Sequence, residues 1–265
     1  MSSRTFQRIR GSFLRQFYVT LHSPFRNFEM FFWPLVDVVL WGFLTVYLRN
    51  LSPDLAVAAS FLLGGMLLWD IMFRGKLAIG IAILEESWSR NVLNVLATPL
   101  SSAEYLAGAT VFGFLKVGVG WGLIAFVAWA AYSFNVTTLG VALLPFVASL
   151  LVTALVLGLM TIVLVLRLGK GAEVLAWGLA FIFMPISAVF FPVSVLPRPL
   201  VAAARFWPAS YIFEGMRQVL AGGPLRWDWV GISLALNGIY LLVMVWVAKR
   251  SLDAFARKGY ITRYL

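Results

Sequence analysis

Six long apolar stretches limit what this chain can fold into. They lie near residues 28–47, 55–73, 105–132, 139–166, 172–191 and 229–248. Each meets the roughly 20 apolar residues that a helix needs to cross a bilayer. In lipid every backbone N–H and C=O must be satisfied within the segment, which leaves helices as the spanning form for runs of this length. Composition agrees: 62% of the residues are hydrophobic and 12% are charged, about half the charge of a soluble domain. A soluble enzyme of this size could not hide that much apolar surface, and a disordered chain would be polar. The expected fold is an all-α polytopic membrane protein with six transmembrane helices.

Charge sets the expected orientation. Lys and Arg total 21 against 11 Asp and Glu. Fifteen of the 21 positives fall before the first span, in the 74–104 and 167–173 connections, and after the last span. The positive-inside rule therefore puts both the N and C termini in the cytoplasm. The net charge of +10 reports topology and gives no reason to expect a nucleic-acid partner. There is no cysteine and one histidine, His22. Disulfides, thiolate metal sites, cysteine nucleophiles and multi-histidine metal centres are excluded, and no catalytic or metal residue is assigned.

Residues 1–27 precede the spans. Phe6, Ile9, Phe13, Phe17 and Leu21 recur at three- and four-residue steps, so an amphipathic helix on the cytoplasmic interface is expected. The rest, 28–265, reads as one transmembrane domain with two patterned connections. The first, 74–104, carries Glu85, Glu86, Ser87, Trp88, Ser89, Arg90 and Asn91, then Pro99, with Ser101 or Ser102 and Glu104 as a helix cap. It reads equally as a short helix that docks on a soluble partner or as a solvated loop helix. The second, 192–228, holds Pro192, Pro197, Pro199, Pro208 and Pro224 with apolar pieces between them. Short helices near 200–206 and 211–220 would form an outer re-entrant segment between spans five and six. Glu214 and Arg217, three residues apart, can pair there.

With these two connections in view, the chain resembles the membrane subunit (permease) of a type-2 ABC transporter. The resemblance rests on Glu85-Glu86-Ser87-Trp88-Ser89-Arg90-Asn91 through Ala97-Thr98-Pro99-Leu100. It also rests on Phe191-Pro192-Val193-Ser194-Val195-Leu196-Pro197, followed by Trp207-Pro208 and Glu214-Gly215-Met216-Arg217. It implies an exporter of the bacterial inner membrane, built as a homodimer of this chain with two separate ABC ATPase subunits. Residues 85–91 would couple to the ATPase, and Arg167, Lys170 and Glu173 would make a second cytoplasmic contact. ATP and Mg would be bound by the partner. The sequence carries no phosphate-cradling Gly-x-x-x-x-Gly-Lys-Ser/Thr pattern of its own, so the chain is expected to be a transport subunit and not an enzyme. The implied cargo is amphipathic, lipid-linked or a polysaccharide.

Away from their first residues, the expected spans hold the charged residues Asp37, Asp70 and Lys116. Intramembrane charge is costly and marks candidate function. Asp70 has Arg74 four residues on. Asp37 and Lys116 lie at matched depth along their helices, which predicts a buried pair. The same three residues would serve an ion-coupled secondary transporter, the alternative reading.

Overall fold

The computed structural model describes residues 3–52, 55–88, 98–168 and 173–258. No strand occurs among them. The helices are α1 (Ser3–Leu21), α2 (Pro24–Leu51), α3 (Leu55–Trp88), α4 (Ser102–Tyr132), α5 (Leu143–Leu168), α6 (Glu173–Ser187), α7 (Arg198–Arg205), α8 (Pro208–Leu220) and α9 (Trp227–Lys258). Five of them, α2, α3, α4, α5 (with the 3-10 turn before it) and α9, are long and apolar enough to cross a membrane. This is the architecture of a polytopic membrane protein.

Helices α3 and α5 form the centre. Within their apolar windows 61% and 67% of residues are buried, against 28% or less for α2, α4 and α9. Small residues explain their close approach. A Cβ added at Gly158 on α5 would lie 2.7 Å from that of Ile79, and one added at Gly75 on α3 would lie 2.9 Å from that of Ala154. In a bilayer, helices associate through this kind of backbone contact and not through hydrophobic burial. Polar bonds tie α9 to the same core. Ser149 and Ser233 meet at 2.7 Å, Thr153 donates to Asn237 Oδ1 at 2.9 Å, and Ser233 donates to the Pro208 backbone carbonyl at 2.7 Å.

Two elements depart from the sequence expectation. The second apolar run does not end at Phe73, because α3 continues unbroken to Trp88. Its 34 residues rise about 50 Å at 1.5 Å per residue, well beyond the ~30 Å hydrocarbon layer. Arg74 and Lys76, which looked like the start of a loop, stand inside the helix. No proline interrupts residues 74–88, and Leu77, Ala78, Ile79, Ile81 and Ala82 keep the run apolar. The second departure is α6. Its 15 residues rise about 22 Å, too short to span alone. The helix stops two residues after Pro185, with Ala188 in the left-handed region at φ 53°.

Helix α1 does occur where the periodicity placed it, and its polar side explains its seat. Ser12, Gln16 and Thr20 are all buried. Ser12 donates to the Tyr105 carbonyl at 2.9 Å and Gln16 to the Tyr105 hydroxyl at 3.2 Å. Gly108 on α4 makes room, since a Cβ there would lie 2.5 Å from that of Ser12. Phe6, Tyr18 and Leu21 are left exposed. The start of α4 is closed by a capping box. Ser101 Oγ accepts from the Glu104 amide at 3.2 Å, and Glu104 Oε2 accepts from the Ser101 amide at 2.9 Å.

Candidate functional site

One cluster of charged side chains joins α2 to α3. Arg74 sits between two carboxylates. Its Nε donates to Asp70 Oδ1 at 2.5 Å and its Nη2 to Asp37 Oδ2 at 3.0 Å. The Asp70 side chain is 3% exposed and that of Asp37 is 48% exposed, so one acid is sealed in the core and the other faces outward. The Asp70–Arg74 pair follows from their one-turn spacing. The Asp37–Lys116 pair expected from matched depth gives way to Asp37–Arg74. Depth fixes position along an axis but not direction around it, and at Asp37 it is α3 that presents the cation. Lys116 is half-buried in the wall of a cavity bounded by α1 to α4.

Lys76 was not singled out from sequence, and it is the most deeply buried charge described. It is fully inaccessible. Its ammonium donates to the carbonyls of Ala176 and Trp177 in the first half of α6. The ring of Phe73 lies 5.9 Å away. The signal was present: Met72, Gly75, Lys76, Ile79 and Gly80 fall on one helical face, and all five are buried.

At the opposite end of the bundle, α7 and α8 stand where short helices were expected. Helix α8 is inserted among the other helices, with Phe213 and Met216 fully buried in the core that includes Trp69, Met72 and Phe146. Pro192 opens a 3-10 turn and Pro197 opens α7. Glu214 and Arg217 do pair, at 3.2 Å, and together they clamp the segment after α6. Glu214 Oε1 accepts from the Val193 amide at 2.6 Å, and Arg217 Nη1 donates to the Val189 carbonyl at 3.2 Å. Trp207 adds a third tie, donating to Ser187 Oγ at 2.8 Å. Arg217 is 7% exposed, so Arg217→Met orphans the Val189 carbonyl in a dry setting. The expected loss is about 1–3 kcal/mol of unfolding free energy. Thermal unfolding in micelles checks it.

The coupling candidates are only partly within view. Glu85, Glu86, Ser87 and Trp88 form the last turn of α3, while Ser89, Arg90 and Asn91 lie outside the described residues. Arg167, near the end of α5, donates to Ser251 on α9 at 3.2 Å. Glu173 is the first residue of α6, and Lys170 lies outside the described residues. No known family model matches the sequence, and no curated protein matches it.

Proposed function

We propose that this chain is the permease subunit of an ATP-driven exporter of the type-2 ABC class. The observation that carries the reading is the continuity of α3. One helix joins the buried core at Trp69 and Met72 to the turn that holds Glu85 and Glu86. A rigid rod of this kind passes force from a docked ATPase into the bundle without a hinge. Two copies would pair, each receiving one ATPase below residues 85–91, with Arg167, Lys170 and Glu173 as the smaller contact. Both termini would face the cytoplasm of a bacterial inner membrane. Helix α6 with residues 188–191 would complete a sixth crossing, and α7 and α8 would form the re-entrant outer cap. The cargo class is amphipathic, lipid-linked or polysaccharide.

The Asp37–Arg74–Asp70 arrangement favours a second reading, an ion-coupled secondary transporter that would also use Lys116. One experiment separates the two. The tagged full-length chain is purified from its host membrane in mild detergent, and nucleotide turnover is measured in proteoliposomes. The exporter reading expects an ATPase that co-purifies and whose turnover falls at least tenfold with Glu85→Lys/Glu86→Lys. Transport that follows an ion gradient and ignores ATP would overturn it in favour of the second.

A further inference from the structure

Between α1, α2, α3 and α4 lies a cavity of about 180 Å³. Gln16 and Trp177 border it, and its charged wall consists of Arg26, Arg74, Lys116 and Glu29. Arg74 is already neutralised by Asp37 and Asp70, which leaves Arg26 and Lys116 set against Glu29. The carboxylates of Asp37 and Asp70 hold Arg74 from behind and do not border the cavity. The cations come from three helices, so they surround the space in place of lining one face.

The surroundings of this wall are apolar and exposed. On α2, Phe28 and Phe32 stack at 4.7 Å beside Arg26 and Glu29, and Trp33 follows. On α4, Val111, Leu115 and Val119 form an exposed stripe next to Lys116. A soluble anion gains nothing from such a border, whereas acyl chains cover it. The cavity sits where α1 turns into α2, level with the start of the α2 span, and reaches Lys116 and Gly120 near the middle of the α4 span.

We propose that this cavity binds the phosphate headgroup of an amphiphile drawn from the adjoining leaflet. The phosphate takes charge-assisted bonds from Arg26 and Lys116, and the tails lie along the exposed stripes of α2 and α4. The site stands apart from the export reading, because it is a property of the chain without ATPase or nucleotide.

The test uses the purified, delipidated full-length chain in a non-ionic detergent. Dioleoylphosphatidic acid, dioleoylglycerol and glycerol 3-phosphate are compared by native mass spectrometry and by competition. The expected result is one phosphatidic acid per chain, held at least tenfold more tightly than dioleoylglycerol and not displaced by an equal concentration of glycerol 3-phosphate. Lys116→Gln and Arg26→Gln each weaken it about tenfold, the difference made by ~1.4 kcal/mol. Lys116→Arg retains it, as does Arg198→Gln on α7. Unliganded melting temperatures identify any variant that fails to fold, and the second glutamine variant then decides. Equal retention of the two lipids overturns the proposal, as does binding unchanged in both glutamine variants. Displacement by glycerol 3-phosphate at equal concentration would replace the lipid with a free anion and overturn it as well.

Discussion

Arg74→Met is expected to lower the unfolding free energy by about 3–5 kcal/mol, the usual consequence of removing one partner from a buried ion pair. The loss arises from what remains. Asp70 is 3% exposed and would keep a carboxylate with no cation beside it, and Asp37 would lose its 3.0 Å contact as well. Neutralising the stranded acid should restore much of the loss. Asp70→Asn in the Arg74→Met background is therefore expected to be more stable than Arg74→Met alone, although it carries one more change. Denaturant or thermal unfolding in micelles measures the full cycle. A single-variant loss under about 1 kcal/mol, the scale of an exposed pair, would show that the cluster does not hold α2 to α3.

This cluster also shows how far the sequence could be read. Helices α2, α4, α5 and α9 were legible because their apolar runs are long and hold at most one charge away from their ends. The true length of α3 was hidden by Arg74 and Lys76, since a charge normally ends a span. Here both charges are satisfied inside the protein, one by two carboxylates and one by backbone carbonyls. The Asp37 partner was missed for a related reason. Counting residues gives depth, but each residue also turns the helix by 100°, and the facing direction depends on neighbours that the sequence does not name.

Spacing succeeded where partners share a helix. Glu214 and Arg217 pair at three residues' separation, and the Ser101–Glu104 capping box closes α4 as its pattern required. What spacing could not supply was their reach to Val189 and Val193, which depends on how the chain returns after α6. In α1 the reading followed the aromatic stripe, of which Phe13 and Phe17 do meet Phe112 on α4, and missed the polar stripe of Ser12, Gln16 and Thr20 that docks beside them. Small polar side chains allow close approach and still bond across the interface, so a stripe of them on an amphipathic helix is a contact signal in its own right.

Lys76→Met is expected to act in the opposite direction to Arg74→Met, raising the unfolding free energy by about 1–4 kcal/mol. The two lysine and arginine positions are two residues apart, yet their surroundings differ in kind. Arg74 neutralises acids that would otherwise be stranded. Among the described side chains, the Lys76 ammonium meets only two carbonyls and one ring. Those carbonyls lie within α6 and keep their helical N–H partners, so nothing is orphaned when the ammonium leaves. Methionine fills nearly the same volume with a flexible apolar chain, and the cost of holding a cation out of water disappears. Unfolding in micelles reads the sign directly, and a destabilisation of 1 kcal/mol or more would mean that the ammonium has an anionic partner. A charge retained at a cost in stability marks a working position. Lys76 bridges the central helix α3 to α6, the short helix that leads into the Glu214–Arg217 clamp. Under the exporter proposal, the stabilised variant is accordingly expected to lose transport in the assembled complex, which no purely structural lysine would do.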